Sequence, residues 1–206
     1  MLIGKIAPLQ FLAKRSRRLL AALLIMGSPM LLGSCAMPAI TDYASQSPRL
    51  DLRQFFSGHV RGWGMVQDRS GKVLRHFVVD IDANWTDLPA GSKTGDGLPA
   101  KARGTLDERF VWSDGERQQR VWTITELTSG KYQGAAGDVV GEAAGQSAGN
   151  ALNWGYTLRI PYGERTLEVR LDDWMFLIDA ATLINRAEMR FFGIRVGEIT
   201  IAFRRE

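Results

Sequence analysis

The stretch LDERFVWSDGERQQRVWTI, residues 106–124, decides the fold. Leu106, Glu108, Phe110 and Trp112 alternate with Asp107, Arg109 and Val111. Successive side chains on an extended chain point to opposite sides, so the first four share one face. Arg120, Trp122 and Ile124 repeat the pattern beyond Ser113-Asp114-Gly115-Glu116, and an Asp-Gly pair between two alternating runs signals a tight hairpin. The aromatic residues mark the inward face of both strands. Glu108 and Arg120 lie on that face, and a buried charge requires a partner.

The same period-two pattern extends in both directions. Arg75, Phe77, Val79 and Ile81 alternate with His76, Val78, Asp80 and Asp82. The cleanest stripe is Leu152, Trp154, Tyr156, Leu158 and Ile160, followed by a turn at Pro161-Tyr162-Gly163. Leu167, Val169 and Leu171 continue it, and Ile199, Ile201 and Phe203 close the chain. Further turns fall at Asp68-Arg69-Ser70-Gly71 and Ser129-Gly130. Residues 88–101 are rich in Gly, Pro and Lys and read as a long, mobile loop, and residues 178–190 have room for one short helix. No amphipathic helix longer than about two turns is evident. The expected class is all-β and mainly antiparallel. Such sheets manage their edges as a sandwich or a barrel, and a barrel of about eight strands is favoured. The opening Phe55-Phe56-x-Gly58 with Gly62-Trp63-Gly64 resembles the first strand of lipocalin-like barrels.

The N-terminus is organised differently. Lys5, Lys14, Arg15, Arg17 and Arg18 precede an apolar run from Leu19 to Leu32, and no acidic residue appears before Cys35. A basic segment, an apolar segment and small residues before a cut site make a secretory signal. The apolar run falls short of the ~20 residues of a membrane-spanning helix, and Pro29 interrupts it. Leu32-Gly33-Ser34-Cys35 resembles the lipobox of bacterial lipoproteins, in which the cysteine is lipidated and becomes the new N-terminus. The expected organisation is a signal peptide at 1–34, a lipidated tether at 35–48 and a single β-barrel domain at 49–206. Ala36 stands where an aspartate would signal inner-membrane retention. The resemblance therefore implies anchoring in the outer membrane, facing the periplasm.

Removing the leader changes the charge argument. The formal net charge is +4, and taking away the leader's five positive charges leaves about −1. The basic footprint that nucleic-acid binding requires disappears with it. Cys35 is the chain's one cysteine, so no disulfide staples the domain, and its core must suffice alone.

Several motifs were weighed for chemistry. Gly145-Gln146-Ser147-Ala148-Gly149 matches a nucleophile elbow, but that motif needs a strand before it, a helix after it and a later histidine. Both histidines, His59 and His76, precede Ser147. Gly137, Gly141, Gly145 and Gly149 recur every four residues, which suits either a glycine-rich loop or packing site, or the close approach of a ligand. Two separated histidines do not make a metal site, and neither a metal nor a cofactor is expected. Asp172-Asp173 reads either as a turn cap at a strand end or as a pair of functional carboxylates.

The best functional lead is the aromatic set. Trp122, Trp154 and Tyr156 are expected to point inward beside Glu108 and Arg120, as in a binding cavity with a few polar fixers; the alternative is a filled core.

A long ordered series of short motifs gives the chain a family likeness. It runs Phe55-Phe56-x-Gly58, Gly71-Lys72-Val73, Glu108-x-Phe110, Asp114-Gly115, Arg120-Val121-Trp122 and Asp138-Val139-Val140-Gly141. It continues with Gly149-Asn150-Ala151, Trp154-x-Tyr156, Asp172-Asp173-Trp174-Met175 and Asn185. From about residue 50 onward the chain resembles a proteobacterial lipoprotein family known as domain of unknown function 3833. The resemblance implies an envelope lipoprotein, supplies no catalytic residues, and makes residues 88–101 an insertion.

Three readings of function follow. The first is a barrel that binds or carries a hydrophobic small molecule, a lipid or fatty acid, through Trp122, Trp154, Tyr156, Glu108, Arg120, Asp173 and Asn185. The second is a lipid-modifying enzyme with Asp173 or Glu108 as base and Asn185 or Tyr156 as polar fixer; it requires carboxylates that converge in a cavity. The third is an envelope assembly factor, which requires a solid barrel and an exposed apolar patch.

Overall fold

A computed structural model describes residues 38–206, so Cys35 and the leader lie outside the described residues. Ten strands follow one another: β1 (Gly58–Asp68), β2 (Val73–Asp87), β3 (Ala100–Trp112), β4 (Arg117–Leu127), β5 (Lys131–Ala135), β6 (Ala143–Ala148), β7 (Ala151–Tyr162), β8 (Arg165–Leu177), β9 (Thr182–Phe191) and β10 (Ile194–Arg205). Each pairs antiparallel with its chain neighbours, and β10 pairs back onto β1 to close the barrel. Closure removes the two outer edges that an open sheet would expose, the problem that the alternating strands posed.

The barrel has ten strands rather than about eight for two physical reasons. β5 and β6 are only five and six residues long, and their glycines and alanines carry little hydrophobic alternation. Residues 178–190 do not form a helix. They contain most of β9, whose buried face is Leu183, Asn185 and Ala187. A polar residue in the middle of that face hides the period-two stripe. β7 also runs on to Tyr162, and the tight turn falls at Gly163 and Glu164.

The described α-helix is a single turn, α1 (Leu52–Phe55), capped by Asp51, whose side chain accepts from the Gln54 N–H at 3.0 Å. Its Leu52 and Phe55, with the following Phe56, are buried against the barrel interior. The Trp85 indole N–H donates to the Phe56 carbonyl at 2.7 Å and fixes this plug. Ahead of it, Ile40–Tyr43 forms a 3-10 turn, with Tyr43 packed on Trp174 and Phe176 at 5.7 and 5.3 Å between ring centres. Over these residues the expected tether lies against the barrel.

The loop between β2 and β3 is hydrogen-bonded to itself. Leu88 N–H donates to the Lys101 carbonyl at 2.8 Å, Ala100 N–H to Ser92 at 2.9 Å, and Lys93 bridges Pro99.

The four-residue glycine period dissolves into separate roles. Gly145, and Gly134 on the neighbouring strand, make room for the Trp154 indole, and a Cβ on Gly134 would lie 2.8 Å from it. Gly149 turns the chain between β6 and β7 at φ +53°, pressed against the Tyr43 carbonyl. Gly137 and Gly141 face open space. The close approaches at 145 and 149 are thus made by the chain's own groups. Ser147 sits on a strand followed by a turn and another strand, so the elbow geometry is absent there.

Candidate functional site

The inward faces of the strands do not fill the barrel. They enclose a cavity of about 120 Å³, closed at one end by Leu52 and Phe56 of the plug. All seven residues singled out for binding line it: Glu108, Arg120, Trp122, Trp154, Tyr156, Asp173 and Asn185. The pairing register explains why. Glu108 of β3 faces Arg120 of β4 directly, with Leu106 opposite Trp122 one step along that face. On the other side Trp154 of β7 faces Asp173 of β8, which in turn faces Ala187 of β9. Asp172 and Asp173 are mid-strand, not at a strand end, and their side chains leave opposite faces of β8.

The aromatic wall is tightly interlocked. Trp122 meets Trp154 and Tyr156 edge-on, at 6.0 and 5.4 Å between ring centres. Phe77, Phe110 and Trp112 make a second aromatic group, with Phe77 4.8 Å from Trp112 and Phe110 stacked on it at 6.2 Å.

Charge is concentrated in one part of this apolar wall. The Arg120 guanidinium grips Asp138 through Nε at 2.9 Å and Nη2 at 2.7 Å. Its remaining Nη1 is 3.7 Å from Glu108 Oε2, an ion pair too long for a hydrogen bond. Glu108 Oε2 is buried and has no hydrogen-bond partner. Burial pushes the Glu108 carboxyl up to about 7 although Arg120 opposes the shift. Asp173, 5% exposed, accepts from the Asn185 amide and from the Tyr156 hydroxyl at 3.2 Å. Burial outweighs those bonds, and its carboxyl also rises to about 7. Burial, reinforced by Asp173, drives the Tyr156 hydroxyl well above its ordinary value of 10.

Asp138, the partner of Arg120, was not among the candidate residues. It lies on the connection between β5 and β6, where periodicity says nothing. That connection folds onto β7, with Val139 bridging Leu158 and Arg159 N–H donating to the Asp138 carbonyl at 2.8 Å. One signal pointed toward it, its place in one of the shared short motifs; Glu108 already answered the need of Arg120 for a carboxylate.

Chemically, the site offers an apolar pocket lined by Glu108, Asp173 and the Arg120 guanidinium, with a third carboxylate, Asp138, holding that guanidinium. Two of those carboxylates titrate near neutrality, which suits either hydrogen-bond recognition or proton transfer.

No curated protein matches the sequence. Among solved structures, an S-type phycobiliprotein lyase from Guillardia theta is similar in fold, with a TM-score of 0.53 at 9% identity, covering 82% of this chain and 99% of that one. A DUF3598-family protein of unknown function from Nostoc punctiforme gives a TM-score of 0.47 at 10% identity, over 84% of this chain and 53% of that one. The lyase shares the lipocalin-like barrel, and at 9% identity the likeness concerns the fold alone. A family model described as a protein of unknown function, DUF3833, matches residues 29–205. The chain belongs to the DUF3833 family.

Proposed function

We propose that this protein binds a hydrophobic small molecule inside its barrel, at the periplasmic face of the outer membrane, where lipid on Cys35 holds it. The observation that carries the reading is the cavity itself. Its wall is aromatic and aliphatic, and a few polar groups converge at one place, the usual make-up of a small-molecule site. A solid core would have no reason to retain an unpartnered Glu108 oxygen. Volume bounds the ligand. About 120 Å³ is well below the ~300 Å³ at which drug-sized sites begin, but near the ~150 Å³ of an engineered cavity that takes benzene. The buried part of the ligand is therefore a ring or a short segment of chain.

Native mass spectrometry of the full chain after mild extraction tests this reading. A reproducible small-molecule adduct is expected. A consistently empty protein, with a crystal structure whose side chains fill the interior, would overturn it. For the anchor, palmitate labelling should mark the wild-type chain and not Cys35→Ser.

A second reading, proton transfer on a bound lipid, is favoured by one observation: Glu108 and Asp173 share the cavity and both titrate near 7, the working range of a general base. Under that reading a captured ligand is chemically altered on incubation, and Asp173→Asn stops the change without releasing the ligand.

A further inference from the structure

We infer that the bound molecule presents a hydrogen-bond-donating group, a hydroxyl or an amine, to the polar end of the cavity, and that free carboxylates are disfavoured there. This rests on the barrel-binding reading and narrows it.

The hydrogen-bond inventory of the cavity leads to this class of ligand. The cationic donor and the donors beside Asp173 are already engaged. Arg120 directs Nε and Nη2 at Asp138, and its Nη1 faces Glu108. The Asn185 amide nitrogen donates to Asp173 and to the Trp174 carbonyl, the latter at 3.3 Å, which uses both of its hydrogens. The single Tyr156 hydroxyl hydrogen goes to Asp173. Gln118 turns its amide oxygen to the Trp112 indole at 3.2 Å, and its NH₂ remains open, as do the indole N–H groups of Trp122 and Trp154, all of them neutral donors. The acceptors, in contrast, are in surplus. Glu108 Oε2 has no partner, and each Asp173 oxygen accepts one donor where it has room for two.

Charge points the same way. Glu108 and Asp173 line the cavity with Arg120, which also holds Asp138, so the fully ionised cluster of three carboxylates and one guanidinium carries an excess of two negative charges. An anionic head group entering it meets repulsion that solvent does not screen, and the guanidinium fork that would clamp it is occupied. An alcohol or amine meets an acceptor that otherwise stays buried and unsatisfied, and filling such a vacancy is where hydrogen bonds discriminate most strongly. A fatty acid in its ionised form is the ligand this cluster rejects, and the corresponding alcohol or amine is the one it accepts.

The test is a matched set that differs only in the head group. Benzyl alcohol, benzylamine and benzoate share a ring of the size the cavity admits. They are titrated by calorimetry at pH 8 into the full chain in detergent. The alcohol and the amine should bind at least about tenfold more tightly than benzoate. Glu108→Gln, which replaces the orphan acceptor with an amide donor, should close most of that gap, and Asp173→Asn should narrow it independently. Equal binding of all three overturns the inference and leaves the cavity-binding reading standing. Tighter binding of benzoate overturns it outright. If none binds, the cavity-binding reading falls and this inference falls with it.

Discussion

Strand β3 contributes to two charged clusters at the same height, one on each side of the barrel wall. On the outside, Arg109 pairs with Asp82 and, at 3.1 Å, with Asp107, while His59 Nδ1 lies 2.9 Å from Asp82. On the inside, next to Asp107 in the chain, Glu108 faces Arg120, which holds Asp138. Both clusters pair an arginine with two carboxylates, and their surroundings differ. The outer side chains are 31–49% exposed, whereas those of Glu108 and Arg120 are 14% and 17% exposed. The carboxyls respond in opposite directions. Hydrogen bonds from His59 and Arg109 hold Asp82 below its ordinary value, and burial lifts Glu108 to about 7. One wall thus sustains a wet cluster that tunes the surface and a dry one whose electrostatics are consequential.

The sharpest way to break that comparison is to remove the inner cation. Arg120→Ala leaves Glu108 and Asp138 facing each other without compensation, and the chain should lose about 3–5 kcal/mol in urea unfolding. A loss below about 1 kcal/mol would mean that water reaches the inner cluster as freely as the outer one.

The next effect is a gain. The Asp173 carboxyl stands at about 7 in the folded chain against 3.8 in its ordinary state. A carboxyl raised on folding contributes stability that is complete below the lower value and lost as pH climbs through the higher one. Asp173→Asn keeps the shape and removes the charge, so it should stabilise the protein at pH 8.5 by on the order of 2 kcal/mol and add little at pH 4. The same stability at both pH values would show that Asp173 is solvated.

The smallest effect belongs to the outside. Arg109→Ala should leave the urea unfolding midpoint nearly unchanged, and whatever cost remains should shrink further in 1 M salt. A larger, salt-insensitive loss would erase the distinction between the two faces.

How much of this was legible in the sequence varied with the chemistry of each segment. The hairpin at residues 106–124 was readable because alternation and an Asp-Gly turn agreed, and it brought Glu108 and Arg120 inward together. The β7 stripe placed Trp154 and Tyr156 for the same reason, and the family motifs added Asp173 and Asn185. β5 and β6 were hidden because small residues carry no hydrophobic rhythm. β9 was missed as a strand because Asn185, facing the cavity, interrupts its apolar face. A polar side chain turned into the cavity obscured the fold at that strand. Asp138 escaped because a connection has no period, and because Glu108 already stood as a partner for Arg120.

The central claim is that a ligand lies within the barrel and not on its surface. Ala187, 2% exposed, lines the cavity opposite Asp173, and Ala187→Leu places three further carbons in that space. The decisive measurement is the affinity of benzyl alcohol for wild type, Ala187→Leu and the outward-facing Trp63→Ala, with the far-ultraviolet circular dichroism of each held as a control for folding. The account predicts at least about a tenfold loss in Ala187→Leu and no change in Trp63→Ala. Undiminished binding in a folded Ala187→Leu protein, or loss only in Trp63→Ala, would contradict it.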